Sequence, residues 1–116
     1  MMIFPSTDDF LEEFGIEPVE MDTSSVLFRY VIKSKSSEVE ADISFSAVMR
    51  SFQIVLYVSA KEVAIISSEN VESIEFMRNS SGAGIRVIFD ICETISEAQI
   101  LIEPELSCRW WTLRNA

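Results

Sequence analysis

The chain has no histidine among its 116 residues. Histidine is the most frequent general base and metal ligand in proteins, and it completes the Ser-His-Asp and Cys-His nucleophile systems. The sequence also lacks a Gly-Lys-Ser/Thr phosphate-binding loop. Together these absences remove the commonest routes to hydrolysis, metal binding and nucleotide binding. The composition therefore predicts a protein that is not an enzyme and that uses neither a cofactor nor a metal.

Cysteine, glycine and proline are scarce, with two, three and three copies respectively. Cys92 and Cys108 have neither metal-binding nor redox spacing, so both are predicted to be small buried side chains rather than a disulfide framework. No apolar run approaches the roughly 20 residues that span a bilayer. Pro5 and Asp8 closely follow the first apolar residues, so no signal peptide is expected. A cytoplasmic location is the resulting expectation.

Basic residues are few, since nine oppose 19 acidic residues and the formal net charge is −10. Seven acidic residues precede the first basic residue, Arg29, and they define an acidic N-terminal segment: Asp8, Asp9, Glu12, Glu13, Glu17, Glu20 and Asp22. Such a surface repels nucleic acid and anionic membranes. It favours a basic partner, because complementary potentials accelerate encounter. The alternative is that the charge serves only solubility.

One short helix is predicted near the start of the chain. Thr7 is the expected N-cap, and acidic residues fill the first turn, where the helix dipole favours anions. Phe10, Leu11 and Phe14 form an apolar stripe, and Gly15 is the expected terminator. A helix of this length is not stable alone, so it must dock on the rest of the chain.

From residue 24 onward, apolar and polar residues alternate with the period of β-strands. The predicted strands are residues 26–33, 38–47, 52–59, 63–67, 85–92, 98–103 and 108–113. Residues 69–78 fit a helix or a strand, and a strand is preferred for the second half because residues 79–84 read as a hairpin loop. All connections are short, which favours antiparallel neighbours.

The chain is therefore predicted to be a single acidic domain over residues 1–116, of mainly β structure. Runs 52–59 and 85–92 are apolar on both faces, so a second layer must cover the sheet. The expected fold is an antiparallel meander of about seven or eight strands with one short N-terminal helix, forming either a sandwich or a half-open barrel.

Three features are candidates for binding. The first is the acidic N-terminal segment, and the second is a set of carboxylates at Glu69, Glu72 and Glu75 with Asp90 and Glu93 on the neighbouring strand. The third is the adjacent pair Trp110 and Trp111, which must point to opposite faces of a strand. One is expected in the core, and the other either in a second core, so that both are buried, or at least partly on a surface where it could bind a partner. The predicted partner-binding residues are Asp8, Asp9, Glu12, Glu13, Glu17, Glu20, Glu72, Glu75 and Trp111. Glu75 and Asp90 are also placed to face each other across the hairpin, although a solvated strand face is the preferred interpretation of that pair over a glycosidase-type one.

The acidic segment over residues 8–22, the meander over residues 26–113 and the closing stretch Glu103-Pro-Glu-Leu…Arg-Trp-Trp-Thr-Leu together resemble the immunity proteins of bacterial toxin systems such as contact-dependent growth inhibition. The resemblance implies that the protein binds a cognate toxin, usually a basic nuclease, and masks its active site. It rests on no matched motif, so no binding residue is carried over from it. Two other functions stay open: a β-barrel that binds a small molecule, and a structural subunit that assembles with copies of itself, for instance as a homodimer.

Overall fold

A computed structural model describes residues 2–91 and 94–114, with the backbone alone for residues 113 and 114. The described chain forms one helix and nine strands. In chain order they are α1 (Thr7–Phe14), β1 (Glu20–Asp22), β2 (Leu27–Lys33), β3 (Val39–Ser46), β4 (Ser51–Val58), β5 (Lys61–Ser68), β6 (Val71–Asn79), β7 (Gly82–Ile91), β8 (Thr94–Glu103) and β9 (Ser107–Arg114).

The strands form two antiparallel sheets in which sequence neighbours pair. The five-stranded sheet has the order β1-β2-β3-β4-β5, and the four-stranded sheet has the order β6-β7-β8-β9. The predicted meander is confirmed, and of the two predicted forms the structure is a sandwich, not a closed barrel. Nine strands are present rather than seven or eight because β1 was not predicted. Its three residues are all exposed, so they give no alternating pattern.

The core lies between the two sheets and is built from the inward positions of the alternating strands. Phe45 and Phe52 from the five-stranded sheet and Phe89 from the four-stranded sheet are fully buried there. The ring of Phe89 stacks on Trp110 at 4.8 Å between centroids and meets Phe52 edge-on at 6.3 Å. Ile100 is also fully buried. Side chains therefore fill the space between the layers.

The outer faces of the sheets are only partly polar. On the five-stranded sheet, Val31, Asp42, Val55 and Ile65 lie opposite one another in one row across four strands. No element in the described part of the chain covers this row. The expectation that a second layer would cover the strands is thus confirmed for one face of each sheet only. Val55 is nevertheless buried, because it sits in a central strand between the side chains of its neighbours.

The helix begins one residue earlier than predicted. Ser6, not Thr7, is the N-cap: its Oγ accepts a hydrogen bond from the Asp9 N–H at 3.1 Å, and the Asp9 carboxylate accepts one from the Ser6 N–H at 2.9 Å. This reciprocal pair is a capping box, and it requires the serine three residues before the aspartate. Gly15 ends the helix as predicted, in the left-handed conformation with φ 68°.

The helix closes one side of the sandwich. Phe10 is 2% exposed; its ring stacks on Tyr30 of β2 at 4.3 Å and meets Phe76 of β6 edge-on at 5.1 Å. One side chain thus joins the two sheets. The residues before the helix extend the four-stranded sheet, since Ile3 forms a parallel bridge with Ser73 of β6.

Residues 69–78, which fitted a helix or a strand, are mostly strand, and the turn that follows is only residues 80–81. The predicted loop over residues 79–84 was too long, because Gly82 and Gly84 belong to β7. Gly84 is required there by close packing, since a Cβ at this position would lie 1.9 Å from the carbonyl oxygen of Ile100.

Candidate partner-binding face

The outer side of α1 forms a surface with a shallow groove on each flank, which we call the helix face. The first groove, of about 460 Å³, lies between the helix and β6 and is lined by Ile3, Phe4, Pro5, Asp9, Glu12, Glu13, Ile74 and Phe76. The second groove, of about 310 Å³, lies between the helix and the segment that leaves it, and is lined by Thr7, Asp8, Leu11, Glu17, Pro18 and Met21.

The acidic residues of the helix face differ in whether they already have a partner. Asp9 is occupied by the capping box. Glu13 accepts a hydrogen bond from Arg78 at 2.8 Å, an ion pair that raises the pKa of the arginine. Asp8, Glu12 and Glu17 make no ion pair within residues 2–91 and 94–114. The face therefore presents three carboxylates whose charge nothing described neutralises.

Exposed apolar side chains lie beside these carboxylates. Leu11 is 46% exposed and Met21 is 59% exposed, and both line the second groove together with Asp8 and Glu17. A groove lined by both apolar and anionic side chains suits a lysine or arginine side chain, whose aliphatic stem packs on apolar surface while its charged head reaches the carboxylates. This combination separates the helix face from a surface that is merely charged.

The sequence did not predict the apolar part of this face. Leu11 was placed in the buried stripe of the helix, and Met21 belongs to β1, which was not predicted. The position of Leu11 carried a signal, since it lies about 100° around the helix from Phe10. For Met21 there was none, because its neighbours Glu20 and Asp22 are also exposed.

Two further predicted residues lie near the helix face but outside its grooves. Glu72 is exposed at the start of β6, where its carbonyl oxygen accepts the Ile3 N–H at 3.2 Å. Glu20 lies 3.5 Å from Arg29, which also donates to both carboxylate oxygens of Asp42 at 2.7–3.1 Å. Chiefly through Asp42, this raises the pKa of the Arg29 guanidinium. Glu20 is thus already part of a charge cluster on the five-stranded sheet.

Glu75 and Trp111 lie elsewhere, on the outer face of the four-stranded sheet. Glu75 accepts a hydrogen bond from Arg86 at 3.2 Å, and the Arg109 guanidinium lies 5.8 Å from the centre of the Trp111 ring. The predicted partner-binding set therefore does not form one surface. The helix face unites Asp8, Asp9, Glu12, Glu13 and Glu17, while Glu75 and Trp111 belong to a different sheet face of mixed charge.

Other predictions for the four-stranded sheet have mixed outcomes. Trp110 packs on the core and Trp111 on the outer face, so the expected opposite orientation of the pair is confirmed. The prediction that Glu75 faces Asp90 was wrong: Glu75 lies opposite Arg86, and Asp90 lies opposite Ile95 of β8. The turn at residues 80–81 sets Asn79 opposite Gly82, and this register places Glu75 opposite Arg86.

The remaining predictions concern cysteine, metal and membrane. Cys108 is half-buried against the core, and burial raises the pKa of its thiol; Cys92 and Glu93 lie outside the described residues. In the described ranges, no three carboxylate or cysteine side chains converge as a metal site would require. The same ranges contain no helix with the length and apolar character needed to cross a membrane.

The fold and the helix face together define an antiparallel two-sheet sandwich with an acidic flank. No model of a protein family matches the chain, and no curated protein sequence matches it. Among solved structures, the chain is similar to a chain of the contact-dependent growth inhibition toxin–immunity protein complex from Klebsiella pneumoniae 342, with a TM-score of 0.87 over 97% of both chains and 23% sequence identity. At this identity the similarity establishes the fold. The resemblance inferred from the sequence is confirmed at that level.

Proposed function

We propose that the chain is an immunity protein of a contact-dependent growth inhibition system, which binds a basic toxin domain through the helix face and masks it. The observation that carries this proposal is the similarity over 97% of the chain to a chain of a toxin–immunity complex. Within such a pair, the net charge of −10 and the absence of histidine favour the inhibitor over the toxin. In this role the chain acts in the cytoplasm and catalyses no reaction.

The proposed mechanism is occlusion of a site that recognises an anionic substrate. A nuclease holds phosphates with lysine and arginine, and carboxylates can occupy the same positions. Asp8, Glu12 and Glu17 are suited to this because they have no ion pair in the described part of the chain. Each exposed pair contributes only about 0.2–1 kcal/mol. The charges therefore mainly steer and accelerate encounter.

Most of the affinity must come from desolvated apolar contact. Leu11 and Met21, which line the second groove, supply such contact, since aliphatic side chains next to charged ones can bury the stem of a long basic residue. Replacing Leu11 by alanine is therefore expected to increase dissociation of the complex, whereas charge reversals should mainly slow association.

The test uses the toxin domain encoded next to this chain, with association measured by surface plasmon resonance at several salt concentrations. The triple variant Asp8→Lys, Glu12→Lys, Glu17→Lys should associate about tenfold or more slowly than the unaltered chain, with a weaker salt dependence. The matched control is Glu38→Lys, Glu62→Lys, Glu105→Lys, which alters the net charge equally at exposed sites outside the two grooves of the helix face. Its association should slow much less.

Two results would contradict the proposal at different levels. Equal slowing in both triple variants would show that total charge, not the helix face, governs binding. Failure to bind the neighbouring toxin, or growth arrest on expressing this chain alone in bacterial cells, would refute the immunity function itself.

A further inference from the structure

The outer edge of β5 lacks the features that normally prevent a sheet edge from pairing with another chain. β5 is the last strand of the five-stranded sheet, and no strand in the described ranges pairs with its second edge. Val63 and Ile65 are 54% and 55% exposed along it. Exposed edges rich in apolar β-formers add strands readily unless charge, proline or a bulge protects them.

Protection is present only at the start of β5. Leu56 pairs with Ala64 and Tyr57 pairs with Glu62, so Val63 is left unpaired in a bulge. The only charged residues of the strand, Lys61 and Glu62, precede this bulge. From Ala64 to the end of the strand, the edge is regular and uncharged.

The other three sheet edges are protected. β1 is three residues long and two of them are acidic. The edge of β6 is occupied by the bridge to Ile3. β9 carries two arginines, at positions 109 and 114. Short edges, covered edges and charged edges are the usual means of preventing strand addition, which leaves β5 as the available edge in the described part of the chain.

We propose that two copies of this chain pair through antiparallel β5 strands about a two-fold axis at Ile65. Residues that face each other across a sheet must point to the same side, and pairing about Ile65 meets this condition. It places Ile65 opposite its own copy and Ala64 opposite Ile66, all within the regular part of the strand. The two five-stranded sheets then join into a continuous sheet of ten strands.

The packing of the outer face supports this register. Ile65 ends the row that runs through Val31, Asp42 and Val55. In the paired arrangement the rows of both copies meet at the two isoleucines. The most exposed member of each row is then covered by its equivalent in the other copy. Cross-strand apolar pairs of this kind stabilise sheets.

The charge distribution favours a second copy over a basic partner at this edge. Each chain carries a net charge of −10, so two copies repel except where the local charge is low. β5 contains one lysine and one glutamate and is locally neutral. A cationic protein finds no carboxylate between Val63 and Ser68. The contact involves one short strand from each copy, so we expect it to bury less surface than the roughly 1,200–2,000 Å² of stable interfaces. The dimer is therefore expected to be weak and to form at high concentration.

This inference is independent of the proposed function. Phe10 anchors α1 on β2 and β6, and β5 lies three strands away from β2 in the sheet order. The dimer therefore leaves the helix face accessible on both copies.

Analytical ultracentrifugation tests the proposal through the sign of its salt dependence. Salt screens the repulsion between like-charged copies, so dimer formation should strengthen with salt, whereas binding of a basic partner should weaken. Ile65→Lys places two ammonium groups opposite each other and should leave only monomer. Val48→Lys is the matched control, because Val48 is 60% exposed in the turn between β3 and β4. It should dimerise like the unaltered chain.

The register is tested separately by cross-linking. With Cys92 and Cys108 replaced by serine, Ile65→Cys should form an intermolecular disulfide on mild oxidation, since opposing Cα atoms lie about 4.5–5.5 Å apart in antiparallel pairs. Val48→Cys should not. Circular dichroism checks that each variant is folded, and Ile65→Glu, which also places like charges opposite each other, replaces Ile65→Lys if the lysine variant unfolds.

A chain that stays monomeric in high salt up to about 1 mM protein, where a dimer of millimolar affinity would be half-formed, would overturn the proposal. Dimers that persist in the folded Ile65 variant would overturn it too. An unrelated extended peptide that binds this edge while the chain alone remains monomeric would show that another protein, not a second copy, occupies it.

Discussion

Replacing Phe10 by alanine tests whether the helix closes the sandwich by means of a single side chain. The ring is 2% exposed and makes close contacts with Tyr30 and Phe76 at 4.3 and 5.1 Å. Truncation of a buried phenylalanine typically destabilises a protein by about 3–5 kcal/mol, of which each aromatic pair contributes about 0.5–1.5 kcal/mol. Because the two contacts belong to different sheets, we expect a loss near the middle of that range, about 4 kcal/mol.

Such a loss is a large part of the total, since a domain of this size has a free energy of unfolding of about 6–17 kcal/mol. In urea, with a slope of about 1.5–2 kcal/mol per molar, the unfolding midpoint should fall by about 2–3 M. Circular dichroism and tryptophan fluorescence should report the same transition, because Trp110 packs against the core cluster that contains Phe10.

Leu11 provides the control on the same helical turn. It is 46% exposed, so Leu11→Ala should cost less than about 1 kcal/mol. The two variants should therefore have different effects: Phe10→Ala should mainly lower the free energy of unfolding, whereas Leu11→Ala should mainly weaken toxin binding. A loss below about 1 kcal/mol for Phe10→Ala, or equal losses for both, would refute the view that the helix joins the sheets. If Phe10→Ala does not fold, Phe10→Leu should show a smaller loss in the same direction.

Two further predictions concern a buried phenol and a tightly packed glycine. Burial raises the pKa of Tyr30 to about 12, so the unfolded chain, in which the phenol has a pKa of about 10, loses this proton first. Stability measured by urea titration should therefore fall between about pH 10 and 12, and Tyr30→Phe should lose less over that interval; an identical loss in both would show that another group is responsible. Gly84→Ala, whose Cβ would lie 1.9 Å from a backbone oxygen, should destabilise by about 3 kcal/mol or more. At Gly15 an added Cβ would meet no atom within 4 Å, but the residue has φ 68°, so Gly15→Ala should destabilise the protein by only about 1 kcal/mol. Equal destabilisation by the two substitutions would contradict a rigid contact at Gly84.

Alternation predicted the strands that have one face in the core. The run at residues 38–47 is β3 to within a residue at each end, because every second side chain is buried between the sheets. β1 gave no such signal, since a strand whose residues are all exposed has no period to detect. Alternation thus predicted strands whose successive residues differ in exposure, including β5, in which no residue is fully buried, and it failed for β1, whose three residues are all exposed.

The choice between sandwich and barrel depends on one short connection that resembles the others. Glu69 and Asn70 join β5 to β6, yet these strands belong to different sheets. Asn70 adopts a left-handed conformation with φ 59°, and its carbonyl oxygen accepts a hydrogen bond from the Asp90 N–H of β7. Asparagine tolerates this conformation better than most residues. Because residues 69–78 were expected to form a helix or a strand, neither the turn at this position nor the change of sheet was predicted.

The sequence predicted which residues of the helix face are acidic, but not which of them form ion pairs. Asp8, Glu12 and Glu13 are equivalent in the sequence, all acidic on one short helix. Only Glu13 is neutralised, by Arg78, which lies 65 residues away. An ion pair of this separation depends on β6 lying beside the helix, so no local pattern could identify which carboxylates keep their charge.

The position of the helix therefore determines how charge is distributed over the two proposed interfaces. Phe10 fixes the unpaired carboxylates on the side of β2 and β6, while β5, at the far edge of the same sheet, is locally neutral. If net charge alone governed association, salt would alter toxin binding and self-association only by screening the overall net charge of −10. Charge reversal at one exposed site would then have the same effect as reversal at any other, both on toxin binding and on self-association. If placement governs, reversal on the helix face should affect toxin binding strongly and dimerisation only weakly, whereas Ile65→Lys should do the opposite. Measuring toxin binding and dimerisation on the same two variants distinguishes these cases. Placement predicts that the ratio of the effect on toxin binding to the effect on dimerisation is high for the helix-face variant and low for Ile65→Lys, whereas net charge alone does not predict this reversal.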